Sequence, residues 1–121
     1  MAATPAHTLP KAERLCGVTA IASLLRRGRY GTASCIKYCY APNGLEINRI
    51  LISVPKRSFK RAVRRNLLKR RIRESYRLQK EKLGGGTDLM LIYTAREVLP
   101  FADIRSAVGE ILETLETNGT E

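Results

Sequence analysis

Between Pro55 and the Gly84-Gly85-Gly86 triplet no glycine or proline interrupts the chain. A stretch bounded by a helix-incompatible residue and by three helix-breaking ones predicts a single long helix over Ser58 to about Leu83, roughly 35–40 Å in length. Its charge constrains the fold further. Lys56 to Lys82 holds thirteen Lys/Arg against two acids, Glu74 and Glu81. The whole chain has 22 Lys+Arg and 11 Asp+Glu, a formal charge of +11, so this one segment carries the entire excess. The remaining residues hold nine of each sign and sum to zero. The segment is an electrostatic site for a polyanion, and the rest is its scaffold.

On a helical wheel Leu68, Ile72 and Leu83, with Tyr76 at the margin, form one apolar arc, and Val63, Leu67 and Leu78 a second. Between them lie Asn66, Lys69, Arg70, Arg73, Arg77 and Lys80. Asn66, Arg70, Arg73 and Arg77 follow i, i+4, i+7, i+11 and stack along one edge. Like charges at that spacing destabilise an isolated helix by a few tenths of a kcal/mol each, so the counter-charge comes from outside. Arginine's planar fork suits phosphate, and asparagine offers a donor and an acceptor to a base edge or a 2′-hydroxyl. Solvated charged faces normally mix both signs. A leucine-zipper basic region needs heptads where the triple glycine stands, and a membrane-surface helix would want Trp or Phe, which these arcs lack after Phe59.

The other segments are read from their periodicity. Residues 1–10 are expected to be a flexible tail, 11–117 one domain, and 118–121 a second tail; 121 residues suit one core. Apolar residues at helical spacing between Lys11 and Arg27 predict a helix, with Thr19 or Gly17 near its start and Gly28 closing it. Ser34–Tyr40 reads as a strand with Ile36, Tyr38 and Tyr40 on one face and Cys35, Lys37 and Cys39 on the other. Pro42-Asn43-Gly44 signals a turn into a second strand, Ile47–Val54, giving a hairpin. A further short strand before Ser34 stays open. Thr87–Ala95 reads as a central strand, and an amphipathic helix follows Pro100. The order is α-β-β(-β)-α-β-α.

Several functions are excluded or disfavoured. No run approaches the roughly 18 apolar residues of a membrane span, and Met1–Pro10 lacks the features of a secretory signal. Cys16, Cys35 and Cys39 contain no CxxC pair, and on one strand Cys35 and Cys39 would stand about 13 Å apart, beyond disulfide reach. Cys35 and Cys39 are most simply small apolar fillers, and the compartment implied is reducing and cytoplasmic. With His7 the lone histidine, no metal site and no catalytic residue is expected. Glu74 reads as an intrahelical ion-pair partner and Asp88 as a turn residue. Any catalysis belongs to another molecule.

The run Lys60-Arg61-Ala62-Val63-Arg64-Arg65-Asn66-Leu67-Leu68-Lys69-Arg70-Arg71-Ile72-Arg73-Glu74-Ser75-Tyr76-Arg77 resembles the signature of the bacterial ribonuclease P protein component. In that family an Arg-Asn pair precedes xxKRxxRE on a helix, after a strand ending in a turn like Val54-Pro55-Lys56-Arg57. Lys11-xx-Arg14-Leu15, Arg26-Arg27-Gly28-Arg29 and Asp88-Leu89-Met90-Leu91-Ile92 extend the likeness over most of the chain. The resemblance implies a single-domain α+β fold, a central sheet packed by three helices, with a left-handed βαβ crossover. It also implies the protein subunit of a ribonucleoprotein that cuts the 5′ leader from precursor tRNA, the catalytic RNA holding the Mg²⁺. The partners implied are that RNA and precursor tRNA, with the protein alone a monomer.

Carried over by position, Arg65, Asn66, Lys69, Arg70 and Arg73 would engage the catalytic RNA, with Arg61 and Arg64 as accessory phosphate contacts; the helix edge adds Arg77 to the RNA-binding candidates. A cleft between the first helix and the sheet would receive the leader. The family's aromatic positions there correspond to Ile21 and Leu25, whose aliphatic side chains cannot stack on bases. Contact then falls to Lys37 and Arg14, or to Tyr38 or Tyr40 if these face the cleft; strand parity puts both tyrosines opposite Lys37. The alternative is a non-enzymatic RNA-binding module of ribosomal-protein or RNA-chaperone type, which would associate with other RNAs and leave tRNA processing untouched on depletion. A DNA-binding regulator would need a helix-turn-helix or a dimerisation element, and the sequence shows neither.

Overall fold

The computed structural model describes residues 13–119, with side chains through Glu116. The tail expected at 1–10 lies outside the described residues. Helix α1 occupies Val18–Arg27, the later part of the periodic stretch Lys11–Arg27, and starts at the expected Gly17. Gly17, at φ 96°, is its N-cap and stops the helix from extending backward. Ahead of it the chain is extended: Arg14 bridges Ile50 in parallel, and the Leu15 N–H donates to the Ile50 carbonyl at 2.8 Å. Leu15 is therefore buried beside a strand edge rather than on a helix face.

Strands β1 (Arg29–Ala33) and β2 (Ile36–Pro42) form an antiparallel hairpin around Ser34, whose φ is 53°. β1 is weakly written in the sequence, since its glycine and its charge lower strand propensity. Gly31 serves packing instead: a Cβ there would stand 2.4 Å from the Tyr38 ring, so only bare backbone lets that ring lie across β1.

Strand β3 (Arg49–Ser53) does not form the expected hairpin with β2. Strand β4 (Thr87–Tyr93) lies between them, antiparallel to β2 and parallel to β3, in the order β1-β2-β4-β3. The reason is burial. β4 is apolar on both faces and is satisfied only with a strand on each side and cover above and below. The turn signal after β2 does close a turn, with the Leu45 N–H donating to Asn43 Oδ1 at 2.7 Å. That turn carries the chain past β4, and the Asn43 N–H bonds the Gly86 carbonyl at 2.9 Å.

Helix α2 spans Ala62–Gln79 and continues as a 3-10 turn over Lys80–Lys82. Its helical length is about 27 Å, below expectation. It starts four residues late because Phe59 is buried in the core against Tyr93, and the Pro55 carbonyl accepts from the Ser58 and Phe59 N–H groups in a separate turn. Helix α3 spans Phe101–Gly119, running past the boundary expected at 117. The two long helices cover one face of the sheet: Leu68, Ile72 and Tyr76 of α2 share a core with Ile104, Val108 and Ile111 of α3 and with Ile36, Leu89, Leu91 and Tyr93. The second apolar arc of α2 is not buried, and Val63 is 78% exposed. α1 covers part of the other face, where Leu24 packs with Leu15, Cys39 and Ala41. Among the described residues no helix is long and apolar enough to cross a membrane.

Candidate nucleic-acid interface

The α2 edge is built by the anchoring of the opposite side of the helix. With Leu68, Ile72 and Tyr76 fully buried, the 3.6-residue repeat turns Asn66, Arg70 and Arg73 outward, and all three are exposed. Arg61 and Arg64 are exposed at the helix start, while Lys69 is half-buried. Two of the expected contacts are engaged within the protein. Arg65 donates through one guanidinium nitrogen to the Phe59 and Lys60 carbonyls at 2.7 and 2.9 Å, fastening the lead-in turn to the helix. Arg77 pairs with Glu74, the intrahelical role expected of that acid. Lys80 pairs with Glu13 at 3.1 Å and ties the N-terminal segment to the 3-10 turn that follows α2.

Beside this edge lies a groove of about 450 Å³ lined by Arg14, Leu15, Cys16, Ile50, Leu51, Ile52, Lys69 and Arg73. It brings Arg14 to the helix cations rather than to the sheet face. Nothing local in the sequence signals this, because the pairing of Arg14 with β3 is a contact across more than thirty residues.

The sheet face beneath α1 follows from strand register, since directly paired residues share a face. Ala41, Asp88 and Arg49 form one row and Tyr30, Cys39, Met90 and Leu51 the next. α1 packs over these, with Ile21 half-buried against the cluster of Leu15, Leu24, Cys39 and Ala41 and Leu25 41% exposed at the margin. A third row, Thr32, Lys37, Ile92 and Ser53, lies outside the covered patch. Thr32 and Lys37 are exposed there, and Ile92 and Ser53 half-buried. Sequence reasoning found only Lys37 in this row; the others needed the register.

Tyr38 and Tyr40 do not line this face. Tyr38 is 8% exposed in the core under α2 and α3, and Tyr40 packs against the same core, the ring centroids 6.1 Å apart. The alternation that turns Lys37 outward turns both rings inward. Cys35 and Cys39 are buried free thiols, as small fillers would be, and Cys16 is exposed. Among the described residues no three His, Cys, Asp or Glu side chains converge as a metal-ligand set.

Asp88 is a structural carboxylate rather than a simple turn residue. It is 1% exposed. Burial alone would raise its pKa, but hydrogen bonds from Arg49 and Asn43, with the Arg49 charge, hold it below the ordinary value of 3.8.

Comparison with known proteins agrees with this architecture. A family model described as ribonuclease P matches residues 9–116. The chain belongs to the ribonuclease P protein family. The ribonuclease P protein component of Dictyoglomus thermophilum is 33% identical over 112 residues, covering 93% of this chain and 92% of that one. The Nitrosococcus oceani ribonuclease P protein component is 43% identical over a shorter stretch of 53 residues, 44% of each chain. The solved ribonuclease P protein of Thermotoga maritima superposes with a TM-score of 0.76 at 25% identity, covering 84% of this chain and 96% of that one. The single α+β domain and its order α-β-β-β-α-β-α are those of ribonuclease P proteins, and the family is one of RNA-binding proteins in tRNA processing.

Proposed function

We propose that this chain binds the catalytic RNA of ribonuclease P through the exposed edge of α2, and the 5′ leader of precursor tRNA through the sheet face beside α1. The RNA subunit performs the endonucleolytic cut, leaving a 5′-phosphate on the tRNA. The carrying observation is the outward stack of Asn66, Arg70 and Arg73 on a helix whose other side is locked into the core. Cations on an anchored helix meet folded RNA with their backbone already ordered, and each phosphate they neutralise releases condensed counterions. Arg61 and Arg64 extend the row. Arg14, Lys69 and Arg73 line the groove joining it to the sheet face, where Lys37 takes a leader phosphate beside Ile21 and Leu25.

The chain's donor set, with no converging acids among the described residues, suits a protein that leaves the Mg²⁺ to its RNA. Its own residues act by binding, by orienting the leader, and by screening repulsion between two RNAs. The protein alone is a monomer in this reading, working in the cytoplasm. Reconstitution with the cognate catalytic RNA tests it: adding the protein restores precursor-tRNA cleavage at low Mg²⁺, and the protein alone cuts nothing. Cleavage by the protein unaided, or no rescue of the RNA, overturns the proposal.

A further inference from the structure

The chain has five tyrosines, two phenylalanines and no tryptophan. Tyr38, Tyr76, Tyr93 and Phe59 are buried, and Tyr40 and Phe101 are half-buried. Tyr30 alone is exposed, at 50%. Register fixes its place: it pairs with Cys39 and so stands on the sheet face that α1 partly covers, two residues from Thr32 in the uncovered row. Its ring is held there. The phenol donates to the Leu25 carbonyl at 2.8 Å, taking up one of the unpaired carbonyls at the end of α1, and Lys37 Nζ lies over one face of the ring, 5.5 Å from its centroid. The neighbouring α1 side chains, Ile21 and Leu25, are aliphatic.

We infer that Tyr30 is the base-stacking residue for the unpaired leader, the base replacing the Lys37 ammonium over the ring while Lys37 turns to the adjoining phosphate. The inference rests on the reading above that this face receives the leader. Single-stranded nucleic acid is held by pairing a cation along the backbone with an aromatic face for the base. A ring fixed before binding loses little freedom when a base settles on it. Stacking accepts any base and rejects paired nucleotides, whose faces are already covered, so Tyr30 selects unpaired leader rather than a sequence. The competing role is structural, with the hydroxyl capping α1 and the ring incidental.

The test uses holoenzyme reconstituted with the cognate catalytic RNA and measures affinity for leader-bearing precursor tRNA and for leaderless tRNA. Tyr30→Leu should lose about tenfold in affinity for the leader-bearing substrate, the order expected for one stacked base, and nothing for leaderless tRNA. Tyr30→Phe and Tyr30→Trp, which keep a ring but lose the bond that fixes it, should lose far less than Tyr30→Leu. One abasic position in the leader should cost the parent the same factor and cost Tyr30→Leu nothing more. An unchanged Tyr30→Leu, or a Tyr30→Phe as impaired as Tyr30→Leu, overturns the inference while rescue by the parent still upholds the general function. The abasic scan on the parent needs no variant to fold, and a leader with no sensitive position overturns the inference on its own. A parent protein that gives no rescue removes the function and this inference together.

Discussion

Arg49 and Asp88 meet as a two-point pair across β3 and β4, Nε to Oδ1 and a terminal guanidinium nitrogen to Oδ2, each at 2.8 Å. Asn43 adds a third hydrogen bond to Asp88 at 2.9 Å. The pair clamps the parallel strands while the loop after β2 is held to the same carboxylate. Replacing Asp88 with Asn leaves a partly buried guanidinium without its counter-charge and should cost about 2–3 kcal/mol at pH 7, below the range for fully buried pairs because Arg49 is 28% exposed. The folded pKa lies below the ordinary 3.8. The stability it contributes is therefore complete above about pH 4 and fades as pH falls through the lowered folded value. Urea unfolding of parent and Asp88→Asn should differ at pH 7 and converge in strong acid; a pH-independent gap would refute the linkage.

The α2 edge predicts a salt signature. Arg70→Ala or Arg73→Ala should weaken binding to the catalytic RNA by about 1–2 kcal/mol and make the dependence on salt shallower, as fewer counterions are released. Titrations at several salt concentrations read both quantities. A parallel, unshifted slope would mean that these side chains face only water in the complex.

Cys16 offers a probe of the groove. It is exposed beside Lys69 and Arg73, while Cys35 and Cys39 are buried, and burial pushes both of those thiols up in pKa. A thiol reagent should modify one of the three cysteines in the native protein and all three in denaturant. Bound catalytic RNA should slow modification of Cys16; an unchanged rate would place the RNA elsewhere.

Tyr76 is buried with a hydroxyl that has no hydrogen-bond partner among the described residues, and burial holds its phenol protonated well above the usual range. Removing an unsatisfied buried hydroxyl while keeping the ring relieves its desolvation. Tyr76→Phe should be neutral or stabilising by up to about 1 kcal/mol, measured by thermal or chemical unfolding. A clear loss of stability would reveal a partner for that hydroxyl.

The α2 edge was legible from the chain alone because its position depends on one local fact. Leu68, Ile72 and Tyr76 repeat with the helix, so the side opposite them had to carry Asn66, Arg70 and Arg73 outward whatever they packed against. The inward tyrosines of β2 were legible in the same way, through strand parity with Lys37, although parity does not name the element on either side. Asp88 shows the limit from the other direction: a polar residue at a strand start resembles a turn former until Arg49, distant in sequence, is brought to it.

Local periodicity and charge thus determined the helices, most of the strands, the place of the net charge and the kind of ligand, because each depends on residues a few positions apart. Strand order was decided only in three dimensions. β4 displaced the hairpin between β2 and β3 because a strand apolar on both faces gains most at the centre of a sheet, and that gain depends on all four strands together. With the order came the row Thr32, Lys37, Ile92 and Ser53, the seat of Arg14 beside Lys69, and the exposed Tyr30. Each joins residues that no spacing along the chain relates.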